Sequence, residues 1–197
     1  ISVFPNDGES ATGLIRNADT AMYLAKDAGR NTYRFYTEEL TQHAEQRLRM
    51  EGRLRNALVN NQLLLHYQPL VTDTECYGLE ALVRWSDPER GLIPPAQFIP
   101  LAEETRLVVP LGEWVLRTAC RQMKAWLDAG LALKTMAINL SPIQFQQMEF
   151  VQLLQDILHT TGLPPEFLEL EITEGSIMDS GSSGGEKLAM LRERGIR

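Results

Sequence analysis

From Gln62 onward the chain alternates short runs of strand-forming residues with longer amphipathic runs, and this rhythm limits the fold more than any other feature. Leu63–Val71 reads as a strand, and Cys76–Trp85 as a second one after a short turn around Thr72 and Asp73. The proline-rich stretch from Gly91 to Pro100 leads into a short helix, and a long helix is expected over Leu111–Ala129, closed by Gly130. Thr135–Ser141 reads as a third strand. A helix is expected from Pro142 to about Thr160, with proline in its first turn and Gly162 at its end. Leu168–Thr173 reads as a fourth strand and Glu186–Arg194 as another helix. Strands separated by helices long enough to cross over predict a mainly parallel sheet with helices packed outside, either open or closed into a barrel.

Residues 1–36 form a separate short pattern. Phe4–Gly8 is a turn, in which Pro5 and Asp7-Gly8 supply the bend. A helix is expected from about Ala18 to Ala28, striped by Ala18, Ala21, Met22 and Ala25, with Gly29 as its left-handed cap. Thr32–Tyr36 reads as a strand. So small a unit cannot bury a core alone and is expected to be the tail of a larger domain. Residues 37–60 read as a charged connecting helix, striped by Leu40, Ala44, Leu48, Leu54 and Leu58. The chain opens on a strand-like pattern without Met and stops straight after a helix, so it is expected to be a piece of a longer protein.

Composition narrows the partners. With 197 residues, net charge −7 and 44% hydrophobic content, the chain is ordinary globular protein. The acidic balance argues against a nucleic-acid polymer, which needs a basic track. It leaves room for a small anionic ligand held by metal ions and one or two arginines. Cys76 and Cys120 lack metal-type or redox-type spacing and read as free buried thiols in a reducing cytoplasm. No stretch approaches the ~18–20 consecutive apolar residues of a membrane span, and no signal peptide is visible.

Side chains alternate across a strand, so each strand sorts its residues onto two faces. Leu79, Ala81 and Val83 oppose Glu80, Leu82 and Arg84. Ile138 and Leu140 oppose Ala137, Asn139 and Ser141, and Leu168, Leu170 and Ile172 oppose Glu169, Glu171 and Thr173. Periodicity leaves two readings open. An antiparallel sheet with one wet face would tolerate these polar groups without further explanation. A closed parallel barrel would instead aim Glu80, Asn139 and Glu171 into one lumen. Buried carboxylates there need a partner, and an oxygen-rich cluster suits a hard divalent cation rather than zinc.

E-A-L-V-R-W, preceded by H-Y-Q-P and followed by G-L-I-P-P-A-Q-F-I-P-L-A-E-E, N-L-S and L-E-L-E-I-T-E, resembles the EAL family of cyclic-di-GMP phosphodiesterases over roughly residues 50–197. A-D-T-A-M-Y-L-A-K-D-A-G-R-N-T-Y-R-F-Y, within residues 1–36, resembles the C-terminal end of a GGDEF diguanylate cyclase domain. The tandem order is a familiar bacterial signalling arrangement. The resemblance thus implies an α/β chain: a truncated modified TIM (β/α)8 barrel with an antiparallel first strand, over residues 61–197. The tail of an α/β cyclase-like domain precedes it, joined through the helix of residues 37–60. The short turn between the first two strands suits a hairpin, in keeping with an antiparallel first strand.

Carried over residue by residue, the resemblance implies Glu80, Asn139 and Glu171 as metal ligands, Glu80 and Glu171 serving catalysis. Arg84 would contact a substrate phosphate and Gln68 the dinucleotide. Glu174 would organise the loop that the family uses to couple metal binding to dimerisation, so a homodimer is compatible with the resemblance. The implied chemistry is hydrolysis of one phosphodiester of cyclic-di-GMP to linear pGpG, with two Mg²⁺ or Mn²⁺ ions. A degenerate domain that senses the dinucleotide without cutting it is the alternative. The implied location is the cytoplasm, with room for an upstream membrane or sensory segment in the parent. The family's Asp-Asp pair, its lysine and a later glutamate and glutamine are expected beyond Arg197, so this stretch alone is expected to be inactive. Arg106 departs from the pattern, at a place where many relatives carry glycine.

Other residues have plainer readings. His43, His66 and His159 share no ligand spacing, and Trp85, Trp114 and Trp126 read as packing residues. Glu103 and Glu104 are expected in a helix-end or solvated role and Glu169 in a structural one. Ser180–Gly185 is expected to be a loop tip.

Overall fold

The computed structural model describes residues 1–27, 31–172 and 181–197. The chain divides into two compact units, Ile1–Arg53 and Leu54–Arg197.

In the first unit α1 (Ala11–Asp27) begins at Ala11, well before the expected Ala18. Ser10 explains the early start, because its Oγ accepts from Gly13 N–H at 3.1 Å at the helix N-terminus. Asn17 is buried and donates to the Asp7 carbonyl at 2.6 Å, tying α1 to the turn before it. Ala21 and Ala25 face inward, but Met22 is exposed. The expected strand over residues 32–36 does not form. Its backbone makes two bonds to Ile1, from the Ile1 ammonium to the Arg34 carbonyl and from Tyr36 N–H to the Ile1 carbonyl, both 2.7 Å. One residue is too short a ladder to make a sheet. Gly29, the expected cap, lies outside the described residues.

The division at Arg53 falls within α2 (Glu38–Val59). Leu54 and Ala57 are buried, whereas Leu48, expected in the same apolar stripe, is exposed.

The second unit is built on a five-stranded mixed sheet. Strand β1 (Leu63–Val71) pairs antiparallel with β2 (Cys76–Asp87), as the short turn predicts. A three-residue β3 (Gly91–Ile93) then folds back antiparallel on the end of β2. It leads into α3 (Pro95–Glu104) and the long α4 (Val108–Asp128). Strand β4 (Thr135–Asn139) lies parallel to β2, and β5 (Leu168–Glu171) parallel to β4. These parallel pairings remove the antiparallel wet-face reading for the strands that carry Glu80, Asn139 and Glu171.

The helix expected over Pro142–Thr160 is two, α5 (Pro142–Phe145) and α6 (Phe150–Thr161). A single turn at Pro165–Phe167 precedes β5, and α7 (Gly181–Glu193) follows it. Helix α7 takes in Gly181–Gly185, so the stretch expected as a loop tip is helical there. Glycine's low helix propensity is a weak term beside tertiary anchors such as the buried Leu191.

The core lies between the sheet and α4 and α6. Ala81, Met136, Ile138, Leu140 and Leu168 meet Leu116, Ala119, Met123, Leu154 and Ile157, with Leu79, Val83, Leu170 and Ile172 packed at the edge. The apolar strand face is therefore the one that the alternation predicts. Trp114 and Trp126 pack against this core, Trp126 edge-on to Tyr67 at 4.7 Å, and Trp85 is fully buried edge-on to Phe98 at 5.8 Å. Cys120 is buried, but Cys76, expected to be buried, is exposed at the start of the edge hairpin. Among the described residues no helix is long and apolar enough to cross a membrane.

Candidate active site

The register of the strands brings the polar side chains together. Gln68 stands opposite Glu80, Glu80 beside Ala137, and Ala137 beside Glu169, while Asn139 stands beside Glu171 at the ends of β4 and β5. Paired residues share a face, so these groups lie on the side of the sheet away from the helices. The Asn139 Nδ2 donates to Glu80 Oε1 at 2.6 Å across residues 59 apart in sequence. Glu171 feels the same group: its carboxyl is raised by partial burial first, then by the charges of Glu80 and Glu169. Glu169 accepts from Thr135 Oγ1 at 3.2 Å, which fits the structural role expected for it.

Close approach of the backbones makes this convergence possible. A Cβ on Gly78 would overlap Thr135 Cγ2 and sit 2.8 Å from the Thr135 carbonyl oxygen, so glycine is needed where β2 meets β4. Glu80 is half-buried, while Gln68, Asn139 and Glu171 are exposed. Arg84 is half-buried further along β2, its Nη1 donating to the Val83 carbonyl at 2.9 Å. Glu174 lies outside the described residues, as does the side chain of His43. His66 and His159 are exposed.

Two carboxylates and an amide offer only oxygen donors to a cation, the set that hard divalent ions take. The repulsion at Glu171 is the kind of unrelieved negative charge that such an ion would neutralise. Among the described residues no three His, Cys, Asp or Glu groups gather into a metal cage, and Asn139 completes the trio here.

Residues 51–197 match the model of the EAL domain. The chain belongs to the EAL domain family. It is 44% identical over 198 residues to the bifunctional diguanylate cyclase/cyclic di-GMP phosphodiesterase MucR of Pseudomonas aeruginosa, across 100% of this chain and 29% of that protein. It is 41% identical over 181 residues to the cyclic di-GMP phosphodiesterase PdeR of Escherichia coli, across 91% of this chain and 27% of that protein. The chain thus spans less than a third of either relative. A solved structure of the MucR phosphodiesterase in a c-di-GMP complex superposes with a TM-score of 0.72 at 44% identity, over 75% of this chain and 61% of that one.

The sequence did not reveal what holds the end of β4 in this EAL domain. Ser141 caps α5: its Oγ accepts from Ile143 N–H at 3.3 Å, and its own N–H donates to Gln144 Oε1 at 3.2 Å. The S-P-I-Q pattern is a legible capping box. The second half of the arrangement is not legible. Ser141 Oγ also donates to Glu103 Oε1 on α3 at 2.8 Å, over 38 residues of sequence. Buried Gln144 lies against Gly112 of α4, where a Cβ would overlap its amide.

Proposed function

We propose that the protein carrying this EAL domain hydrolyses cyclic-di-GMP to linear pGpG in bacterial second-messenger signalling. One observation carries the reading: Glu80, Asn139 and Glu171, the acidic and amide positions that the resemblance assigns within this stretch, meet across strand pairs, with Asn139 bonded to Glu80 and Glu171 in the field of both Glu80 and Glu169. Glu80, Asn139 and Glu171 would hold Mg²⁺ or Mn²⁺. Bound divalent ions polarise a phosphate and lower the pKa of an attacking water. Water oxygen adds to phosphorus in line as the opposite ester oxygen leaves, which opens the ring at one phosphodiester.

The remaining roles fall on the chain's own side chains. Arg84, on the face of Glu80, offers a guanidinium to a substrate phosphate, and Gln68, opposite Glu80, offers amide hydrogen bonds to the dinucleotide. Glu174 would order the loop beyond β5, and an EAL homodimer would form through that region. We read the sheet as the first part of a modified (β/α)8 barrel, whose further strands would enclose the polar face and supply the remaining ligands. The site would then sit at the C-terminal ends of the strands, as in other such barrels. Residues 1–36 fit the end of a cyclase domain, a reading supported by the alignment of the whole chain with MucR. Residues 37–60 would connect the two.

The test uses full-length protein with Mn²⁺ or Mg²⁺ and cyclic-di-GMP, with product resolved by chromatography. The expected product is pGpG, and Glu80→Ala should abolish turnover. Tight dinucleotide binding without product would instead identify a receptor.

A further inference from the structure

Asn139 is the last residue of β4, and its amide is bonded to Glu80. It pairs with Glu171 on one side, but the pairing of β4 with β2, the strand of Glu80, already ends at Ile138. The turn beyond it is fastened from three directions. Leu140 N–H donates to the Glu171 carbonyl at 2.9 Å, tying the turn to β5. Ser141 N–H donates to Gln144, which is wedged against Gly112 of α4. Ser141 Oγ donates to Glu103, near the end of α3.

The third tie differs from the other two in reach. Helix α3 follows β3, which is itself folded back on β2, the strand of Glu80. Phe98 on α3 is fully buried against Trp85 of β2. The Glu103 carboxylate therefore belongs to a body fixed to β2, while Ser141 belongs to the turn that ends β4. Their bond links the carrier of Glu80 to the carrier of Asn139 outside the sheet itself.

We propose that Glu103 and Ser141 are positioning residues for Asn139, clamping the end of β4 to the β2–α3 body so that the Asn139 amide meets Glu80 in the geometry that a cation requires. The inference rests on the metal-dependent reading of this site. It assigns Glu103 neither contact with substrate nor a proton to transfer. Partners bonded directly to a ligating side chain are worth ~10–100-fold in metal affinity, and this bond, which acts through the backbone of the turn, is assigned the lower end, about 10-fold.

The experiment titrates full-length protein with Mn²⁺ alone, reading free ion by electron paramagnetic resonance, and then measures kcat and KM for cyclic-di-GMP. Glu103→Ala and Ser141→Ala should each weaken Mn²⁺ binding about 10-fold and lower kcat with little change in KM. The double variant should be no worse than Ser141→Ala, which already removes the bond to Glu103 together with the α5 cap. Glu103→Gln keeps an acceptor oxygen for the Ser141 hydroxyl and should restore wild-type affinity. If an alanine variant fails to fold, Glu103→Asp, which draws the acceptor back by one methylene, should show the same loss.

Variants that bind Mn²⁺ as wild type does would overturn the clamp while leaving hydrolysis intact. Equal losses in Glu103→Gln and Glu103→Ala would also overturn it, since charge rather than the bond would then matter. A rise in KM alone would do the same by making Glu103 a substrate contact. Wild-type protein that binds Mn²⁺, responds to the variants and makes no pGpG would sustain the clamp and sink the hydrolytic reading.

Discussion

Glu171 stands where three unfavourable influences add: partial burial, then the charge of Glu80, then that of Glu169. All three raise its carboxyl, so in the absence of metal the folded chain holds a proton there that the unfolded chain has already lost. The folded state binds more protons across that window, and stability must fall as pH rises from the ordinary carboxylate range through the raised value. Glu171→Gln should flatten this decline and leave the metal-free protein at least as stable at neutral pH. Urea melts in a chelator, run from acid to neutral pH, would check it; a steeper decline in the variant would contradict the assignment. Arg106 is a second residue with a readable cost. Its φ is +59°, a left-handed conformation that disfavours any residue with a Cβ. The glycine that the resemblance has at this place would adopt that conformation freely, and Arg106→Gly should stabilise the protein by up to about 1 kcal/mol in denaturant melts.

At the scale of elements, the junction of β2 with β4 determines whether the site exists. Gly78 precedes Glu80 by one full strand repeat and lies against Thr135. Gly78→Ala should cost about 1–3 kcal/mol, the usual range for overpacking, and should also weaken Mn²⁺ binding, because the strands must part below Glu80. A loss of stability with unchanged metal affinity would show that the strain relaxes away from the site. The break between α5 and α6 has a different origin. Continuous apolar periodicity over Pro142–Thr160 predicts one helix, yet the chain opens between Phe145 and Phe150. Lys187 of α7 donates to the carbonyls of Phe145 and Gln147, both at 2.9 Å, and so satisfies groups that the break exposes. That partner lies about forty residues away, beyond any local window. Strand β3 escaped for the opposite reason. Three residues are too few to show alternation, and Pro94 and Pro95 after it carry the signal of a loop.

For the molecule as a whole, a ligand that binds only the folded state adds its binding free energy to stability. Mn²⁺ at a hundred times its dissociation constant should stabilise the full-length protein by about 2.7 kcal/mol, seen as a higher unfolding midpoint that a chelator reverses. Glu80→Gln should remove the shift, and its persistence would place the ion elsewhere.

Alternation by itself determined which strand faces are apolar and which carry Glu80, Asn139 and Glu171, because the two-residue period of a strand is a local property of the backbone. The short link after Val71 likewise made β1 and β2 a hairpin, since so few residues cannot cross over. Tertiary structure alone decided that β2, β4 and β5 lie side by side in register, that Gly78 rests on Thr135, and that Glu103 reaches Ser141. Those facts depend on pairs of residues distant in the chain. Their energies belong to the packed arrangement, and no periodicity within one segment carries them.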